Sequence, residues 1–296
     1  MYRRPIVTLA GNGDEVTLDG VGSEFTLKPG MTGTGLAPRE HTFSELARGG
    51  SVRRNSRPTN LEPLIPFDVF HGYGEDSYAK LEDSRRRLEH LCDDLVEIRL
   101  ETKDGFRSAF GYYKEGLEGD FAKASVNSYR MNMALTFECP DPWWYGQERV
   151  LTQKVDAGRK PFLTSFSGSA TIPFFPVILA SSTVDGAYEL DIKGDAETWP
   201  IWEITGPGED LLIESVETGE RVFIEGEFGE TVTVDAKLGD IYSDTFTHGE
   251  LWDRTSLDSV LFPLKPGINR IKITMVNARP NSEIRLRYRE VYRAGH

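Results

Sequence analysis

The sequence has few cysteines, a deficit of basic residues and no long apolar run. Cys92 and Cys139 are its only cysteines among 296 residues, and no CxxC spacing occurs, which excludes a disulfide framework and a thiolate zinc site. Lysine and arginine number 34 against 47 aspartates and glutamates, so the formal net charge is −13. A field of this sign repels phosphate backbones and anionic lipid, which argues against sequence-independent DNA binding.

Signals for membrane insertion and secretion are also missing. No apolar run approaches the roughly 20 residues that a membrane-spanning helix needs. The start of the chain, MYRRPIVTLAGNGDEV, becomes polar too early for a signal peptide. We therefore expect a protein without membrane contact that stays in the cytoplasm where it is made.

Motifs for catalysis and for cofactors are absent as well. The histidines never recur at helical or strand spacing, so no HExxH motif and no two-histidine metal face can be assembled; they are His41, His71, His90, His248 and His296. The GxGxxG, Walker A, GxSxG and calcium-loop patterns are missing. We predict a protein that is not an enzyme, with no catalytic residue, cofactor or metal ion. Glycoside hydrolysis stays open, because it needs only two suitably spaced carboxylates.

The length and composition of the chain predict two folded domains. A chain of 296 residues suits two cores of about 150 residues each. Both halves are acidic, since residues 1–150 carry 19 basic and 24 acidic groups and residues 151–296 carry 15 and 23. Neither half is a basic arm.

The first half combines short strands with long irregular chain. A hairpin is predicted from PIVTLA (5–10) and VTL (16–18), a strand from IPFDVF (65–70), and a second hairpin from VEIRLETKDGFRSAFGYY (96–113), turning at Asp104-Gly105. The stretch between the first strands, GLAPREHTFSELARGGSVRRNSRPTNLEP (35–63), has no sustained period. It predicts a long irregular loop that reaches outward, and loops of that length are usually functional or held by a partner.

One helix is predicted over EDSYAKLEDSRRRLEHLCDDL (75–95). Its cap is Asp76 or Ser77, and its apolar face consists of Tyr78, Leu81, Leu88, Leu91, Cys92 and Leu95. The run Arg85-Arg86-Arg87 resembles a nucleic-acid patch. However, Glu82 lies four residues before Arg86, Asp83 four before Arg87 and Glu89 four after Arg85, which favours a solvated helix face that pairs with itself.

The clearest strand in the sequence is SYRMNMALTFEC (128–139). Its inward set is Tyr129, Met131, Met133, Leu135, Phe137 and Cys139, which makes Cys139 a packed thiol and not a nucleophile. Pro140 and Pro142 cannot donate to a sheet ladder and end this strand. Trp143, Trp144 and Tyr145 follow, where the first domain would close and the chain would cross to the next.

Beyond residue 150 the pattern changes to strands separated by turns, with no helix of any length. Eight strands are predicted: FFPVILA (174–180), AYELDIK (187–193), WPIWEIT (199–205), LLIESV (211–216), RVFIEGEF (221–228), TVTVDA (231–236), NRIKITMV (269–276) and EIRLRYREV (283–291). Eight antiparallel strands make a sandwich or jelly roll. The predicted domains are therefore an α+β domain over 1–150, mostly β with one helix, and an all-β domain over 151–296.

The order of these features resembles the distal tail protein (Dit) family of long-tailed phages, a siphovirus-type tail component. The resemblance rests on the opening hairpin, on RGGSVRRNSRP before IPFDVF, on the single helix, on the strand ending FECPDPWWYG, and on GDAETWPIWEITGPG and VLFPLKPGINRIKI in the second half. It covers nearly the whole chain. The stretches WPIWEITGPG and PLKPGINRI contribute most to it.

The resemblance implies a structural protein of the virion tail tip that is assembled in the host cytoplasm. A ring, commonly a hexamer, would be formed by the first domain, and a galectin-like β-sandwich would lie outside it. Such a ring joins the tail tube protein to baseplate hub or tail-fibre proteins. The tape measure protein and DNA pass through its channel without specific binding. Trp143, Trp144 and Tyr145 would pack at the junction of the two domains.

A carbohydrate-binding module that recognises host surface glycans is the alternative. Trp199 and Trp202 flank a predicted strand at a spacing of three, so they point to opposite faces and at most one is exposed for stacking on a sugar. The tryptophans at 143 and 144 are a second possible platform. Galectin-type recognition uses a cluster of histidine, asparagine, arginine and tryptophan, and no compact HxNxR string occurs in the second half.

Overall fold

The computed structural model of the chain describes residues 6–19, 21–72, 76–103, 105–118, 126–127, 130–154, 184–245, 248–279 and 281–296. Its helices are α1 (Ser77–Leu91) and α2 (His248–Arg254). Its strands are β1 (Val7–Gly11), β2 (Asp14–Leu18), β3 (Phe25–Leu27), β4 (Arg39–Glu45), β5 (Ser51–Pro58), β6 (Leu64–Phe70), β7 (Val96–Thr102), β8 (Gly105–Gly116), β9 (Val126–Asn127), β10 (Arg130–Glu138), β11 (Trp144–Lys154), β12 (Val184–Ile192), β13 (Ile201–Thr205), β14 (Gly208–Ser215), β15 (Arg221–Phe228), β16 (Thr231–Asp235), β17 (Asp240–Ser243), β18 (Gly267–Val276) and β19 (Glu283–Tyr292).

The chain forms two compact units. The first consists of Met1–Gln147 together with Val291–His296, and the second of Glu148–Glu290. The chain leaves the first unit within β11 and returns to it within β19. Neither described helix is long and apolar enough to cross a membrane.

Strand β8 links two antiparallel sheets of the first unit. Its first half pairs with β7, which pairs with β1 and then β2. Its second half pairs with β10, which continues through β6 to β3. Gly111 lies where β8 passes from one sheet to the other, and a Cβ atom there would lie 2.6 Å from Cys139 Sγ. A glycine is therefore required for the two strands to approach at this bend.

The predicted strands of the first unit are confirmed. The residues of β10 alternate as expected, with Met131, Met133, Leu135 and Phe137 buried, while Tyr129 lies outside the described residues. The turn between β1 and β2 uses Asn12 and Gly13, both at positive φ, as a two-residue hairpin requires. Asp104 of the second predicted turn is also outside the described residues, and β7 and β8 pair on either side of it.

Helix α1 is shorter than predicted, and its buried face is more polar. The buried residues are Ser77, Leu81, Ser84, Leu88 and Leu91, followed by Cys92. Tyr78 and Leu95, which were assigned to this face, are exposed. Asp76 is the N-cap residue, and its side chain makes no capping hydrogen bond. The periodicity identified the helix, but the buried serines replace apolar residues because Ser84 hydrogen-bonds to His71 and to Glu24.

The three arginines of α1 pair with acids, although not all with the predicted ones. Arg85 pairs with Glu89, with 2.9 Å between Nε and Oε1, as expected. Arg86 lies 3.9 Å from Asp83 instead of pairing with Glu82. Arg87 pairs with a residue outside the helix. It holds both carboxylate oxygens of Asp14 on β2, at 2.6 and 2.7 Å, because a strand neighbour offers a bidentate partner that the helix cannot.

The second unit has strands of two antiparallel sheets. In one sheet β17, β16, β13 and β19 are successive neighbours, and the other is a four-stranded sheet of order β12-β18-β14-β15. The two sheets share one buried cluster, which includes Trp202 and Ile204 of the first sheet and Ile213 and Ile273 of the second. A shared core of this kind defines a β-sandwich.

Seven of the eight strands predicted beyond residue 150 are present, and FFPVILA (174–180) lies outside the described residues. The short helix α2 was not predicted, and it corrects the expectation of a helix-free second half. It was missed because seven residues are too few for a helical period to be recognised. The molecule is mostly β, with several sheets and two described helices, which confirms the predicted predominance of strands. A ring-forming first domain and a galectin-like second domain stay predictions.

Candidate assembly surface

The stretch predicted to be an irregular loop contains a long antiparallel hairpin, β4–β5. Seven residues of β4 pair with β5, with a register shift between Thr42 and Phe43. At about 3.4 Å per residue the eight-residue β5 extends for roughly 27 Å. The loop prediction is therefore wrong. The expectation that it reaches outward is confirmed, because no residue of either strand is buried.

The base of this hairpin is fixed to the first unit by backbone hydrogen bonds. Thr59 N donates to Pro38 O at 2.8 Å and closes the hairpin. Just beyond it, Leu61 forms a bridge with Cys139, the residue after β10. Glycines at positions 49 and 50, with φ of 86° and 81°, make the turn at the free end. Hydrogen bonds therefore fix the base of the hairpin, and its turn lies at the opposite, exposed end.

The hairpin has the opposite charge to the rest of the chain. Residues 39–58 contain five arginines and two glutamates, a formal charge of +3 in a protein of −13. Arg57 pairs with Glu40 at 2.6 Å, and Arg54 donates to Ser44. The other three arginines are exposed and make no ion pair among the described residues; they are Arg39, Arg48 and Arg53.

Apolar side chains are exposed on the same hairpin. Phe43 is 57% exposed and lies directly opposite Arg53 in the register, and Val52 is 45% exposed. The His41 ring lies 6.1 Å from the Phe43 ring. Exposed apolar and aromatic groups beside unpaired arginines are typical of a surface that a partner covers.

An acidic groove lies elsewhere on the first unit, between the end of α1 and the second half of β8. Its volume is about 520 Å³. Asp93 and Asp94 follow the helix, Glu118 follows the strand, and none of the three makes an ion pair among the described residues. Tyr112 and Tyr113 line the groove and are 49% and 40% exposed.

Neither cysteine has the environment of a reactive thiol. Burial raises the pKa of Cys92 to about 12, and burial likewise raises the pKa of Cys139 to about 12. A thiol with such a pKa is protonated at neutral pH and is a poor nucleophile. Within the described part of the chain, no three histidine, cysteine, aspartate or glutamate side chains come together as metal ligands.

The aromatic residues predicted for the domain junction occupy different environments. Trp144 is fully buried and belongs to the core of the first unit. Tyr145 is also buried, donates its hydroxyl to Asp141 and lies 6.3 Å from the Phe110 ring. Trp143 is half-buried. Their role at a junction stays a prediction.

Residues 291–296 complete the first unit, which sequence reasoning missed. Arg107 lies with its guanidinium carbon 3.9 Å from the centre of the Tyr292 ring and donates to Ala294 O at 2.8 Å. Gly295 N donates to Thr34 O, and a Cβ atom at Gly295 would lie 3.0 Å from the Trp144 ring. The pattern of the strand EIRLRYREV gives no sign of this return, because the partners are far apart in sequence.

Residues 193–292 match the family model described as the siphovirus-type tail component, C-terminal domain. The predicted resemblance to the siphovirus tail-component family is confirmed. The fold is also similar to that of the crystal structure of the SPP1 Dit (gp 19.1) protein, a paradigm of the hub adsorption apparatus in Gram-positive infecting phages. That similarity has a TM-score of 0.62 at 15% identity and covers 96% of this chain and 98% of that one.

Two structures of the phage P2 baseplate in its activated conformation, with calcium and with strontium, each match at a TM-score of 0.49 and 13% identity. Each match covers 96% of this chain and 98% of the other. No curated protein sequence matches the chain significantly.

Proposed function

We propose that the protein is a non-enzymatic structural component of a phage tail tip, assembled in the host cytoplasm, and that it forms a ring of six copies. The observation that carries the proposal is the fold similarity to a hub protein over 96% of the chain, together with the tail-component match in the second unit. The exposed hairpin β4–β5 adds support. A strand pair with no buried residue leaves edges and apolar side chains that a neighbouring copy can cover.

In this proposal residues 1–150 form the ring and residues 151–296 form a galectin-like sandwich outside it. Residues 291–296 return to the first unit and complete it. The ring joins the tail tube protein to baseplate hub or tail-fibre proteins. Trp143, Trp144 and Tyr145 lie where the chain leaves the ring-forming domain.

Mass photometry of the purified full-length protein tests the ring. Six copies of 33.3 kDa give a particle of about 200 kDa. Negative-stain electron microscopy of the same sample should show closed rings with a central channel. A monomer of 33.3 kDa at every concentration up to the micromolar range, with no rings in assembled virions, would contradict the proposal.

The channel of such a ring has to let DNA and the tape measure protein pass. Lysine or arginine contacts with phosphate release counterions and would hold the DNA, so we propose a wall that is acidic or neutral. Six copies at −13 carry a formal charge of −78, although only residues within about 8 Å of the wall act at physiological salt. The helix arginines fit this proposal because each pairs with an acid. Submicromolar binding of the isolated ring to duplex DNA at about 150 mM salt would contradict it.

Glycan binding by the second unit is the second candidate. The observation that favours it is an exposed tryptophan hydrogen-bonded to a carboxylate, with an exposed tyrosine two residues along the strand from that carboxylate. Tyr242 and Trp252 are 38% and 41% exposed, and the Trp252 indole donates to Asp240 at 3.3 Å. Titration of host cell-wall polysaccharide while following tryptophan fluorescence tests it, with Trp252→Ala as the variant. Saturable quenching that this change abolishes would favour glycan recognition.

A further inference from the structure

Three arginines of the hairpin β4–β5 have no acidic partner among the described residues. Arg39, Arg48 and Arg53 are exposed, whereas the neighbouring Arg57 is paired within the hairpin. In a protein of −13 with this many acids, three unpaired arginines on one projecting element are unusual. They give the hairpin a local field opposite to that of the remaining surface.

The acidic groove of the first unit offers the complementary set. Asp93, Asp94 and Glu118 are three carboxylates without an ion pair among the described residues. Arg85, the basic side chain of the lining, is already held by Glu89. The half-exposed rings of Tyr112 and Tyr113 supply faces on which guanidinium groups and an aromatic side chain can stack.

We propose that the hairpin of one copy occupies the acidic groove of a second copy of this chain. This inference rests on the ring assembly proposed above and names the two surfaces that make the contact. Phe43 lies opposite Arg53 in the register, so an arginine and an aromatic ring enter the groove together. Arg48 and Arg53, nearer the free end of the hairpin than Arg39, meet carboxylates of the groove, and Phe43 covers apolar ring surface that would otherwise face water.

The two surfaces lie on different parts of one unit, and in a single chain both are exposed. The hairpin therefore does not fill the groove of its own chain. A contact between two different surfaces is heterologous, and it is passed from each copy to the next until the rotation closes. A closed ring results when the rotation between successive copies closes, whereas a self-complementary patch would stop at a dimer.

Charge reversal on each side tests the contact in the full-length protein. We expect Arg48→Glu with Arg53→Glu, and separately Asp93→Lys with Asp94→Lys, each to raise the protein concentration needed for half assembly at least about 100-fold. A chain with all four substitutions regains complementary charges, and it should assemble at least about 10-fold more tightly than either double variant. Asp244→Lys with Glu230→Lys, exposed acids of the second unit, is the matched control and should assemble like the wild type.

Any of three results would overturn the proposal. The Asp93→Lys, Asp94→Lys variant could assemble at the same concentration as the wild type, or the quadruple variant could need as much protein to assemble as the double variants. The third is that the control variant in the second unit loses assembly to the same extent as the double variants. A wild-type protein that never assembles is a different result, because it contradicts ring formation itself.

A second measurement keeps the native charges. Benzoylphenylalanine in place of Phe43 should cross-link under light to residues 85–94 or 112–118 of another copy. Cross-links that map only to other segments overturn the assignment of the groove.

Discussion

The two units differ in how much of their strand surface they cover for themselves. Each strand from β12 to β19 in the second unit has at least one buried residue, and its two sheets share one core. In the first unit the strands β4 and β5 have none, although they pair with each other along their length except at Arg54. The second unit can therefore be stabilised by its own core. The hairpin gains backbone hydrogen bonds but buries almost no apolar area. Its apolar side chains can therefore be buried only against another surface.

The largest effect should come from removing the hairpin. We expect replacement of residues 39–58 by an Asn-Gly turn between Pro38 and Thr59 to abolish assembly at all micromolar concentrations. The melting temperature should stay within the error of that of the full-length Arg48→Glu, Arg53→Glu variant, which also does not assemble, because no buried residue is lost. Mass photometry and calorimetry measure the two quantities. A clearly lower melting temperature would mean that the hairpin contributes to the core of the first unit. The two units would then not differ in how far their strands are buried.

Truncation of Trp144 should have the next largest effect and should be confined to the first unit. Trp144→Ala removes a fully buried ring and should lower the free energy of unfolding by about 3–5 kcal/mol. Its indole nitrogen makes no hydrogen bond among the described residues, so Trp144→Phe should cost much less. Urea unfolding followed by residue-resolved hydrogen exchange separates the two units. Faster protease cleavage near residue 150 would accompany the loss if these aromatics act at a junction.

The exposed Trp199 is the matched control for this experiment. Trp199→Ala in the second unit should change stability by no more than about 0.5 kcal/mol. Equal losses for Trp144→Ala and Trp199→Ala would contradict the burial assigned to the two residues.

A smaller loss is expected when the contact with residues 291–296 is weakened. Arg107→Ala removes the stacking on Tyr292 and the hydrogen bond to Ala294 O, and it should destabilise the first unit by about 1–3 kcal/mol. Arg107→Lys keeps the charge but not the planar fork, so an intermediate value is expected. If deletion of residues 291–296 has no effect on the first unit, this return of the chain does not contribute to its stability.

The smallest effect concerns the ion pair between Arg87 and Asp14. The hydrogen bonds from Arg87 lower the pKa of Asp14 from 3.8 to about 2. A lowered folded-state pKa stabilises the protein above the unfolded value, and this contribution is lost as the pH falls from about 4 to about 2. Asp14→Asn should cost about 0.2–1 kcal/mol at pH 7, because the pair is partly exposed, and the difference from wild type should shrink below pH 4. A constant difference down to pH 2 would assign the loss to packing.

The sequence predicted those elements in which one face is buried. The alternation of Met131, Met133, Leu135 and Phe137 identified β10, and the same signal identified seven strands of the second unit. The two strands of the hairpin gave no such signal, because both of their faces are exposed and arginine, serine and glutamate occur on either face. A strand pair that is covered only in an assembly has no hydrophobic period of its own.

Contacts between distant segments were the other kind of feature that the sequence could not predict. Spacing along one helix suggested that Arg87 pairs with Asp83, whereas the fold places Asp14 of β2 closer. The groove joins residues 93–94 to residue 118, and no local pattern links them. In both cases the contact depends on how the fold brings distant segments together, which spacing along one element does not show.

The return of residues 291–296 to the first unit has a consequence for how the protein is made. The ribosome synthesises Glu148–Glu290 before the segment that lies against Arg107 and Trp144. The first unit therefore reaches its final structure only after translation has passed through the whole second unit. A nascent chain that stalls within the second unit lacks the contacts of Tyr292 and Ala294 with Arg107, although its first 147 residues have already been made.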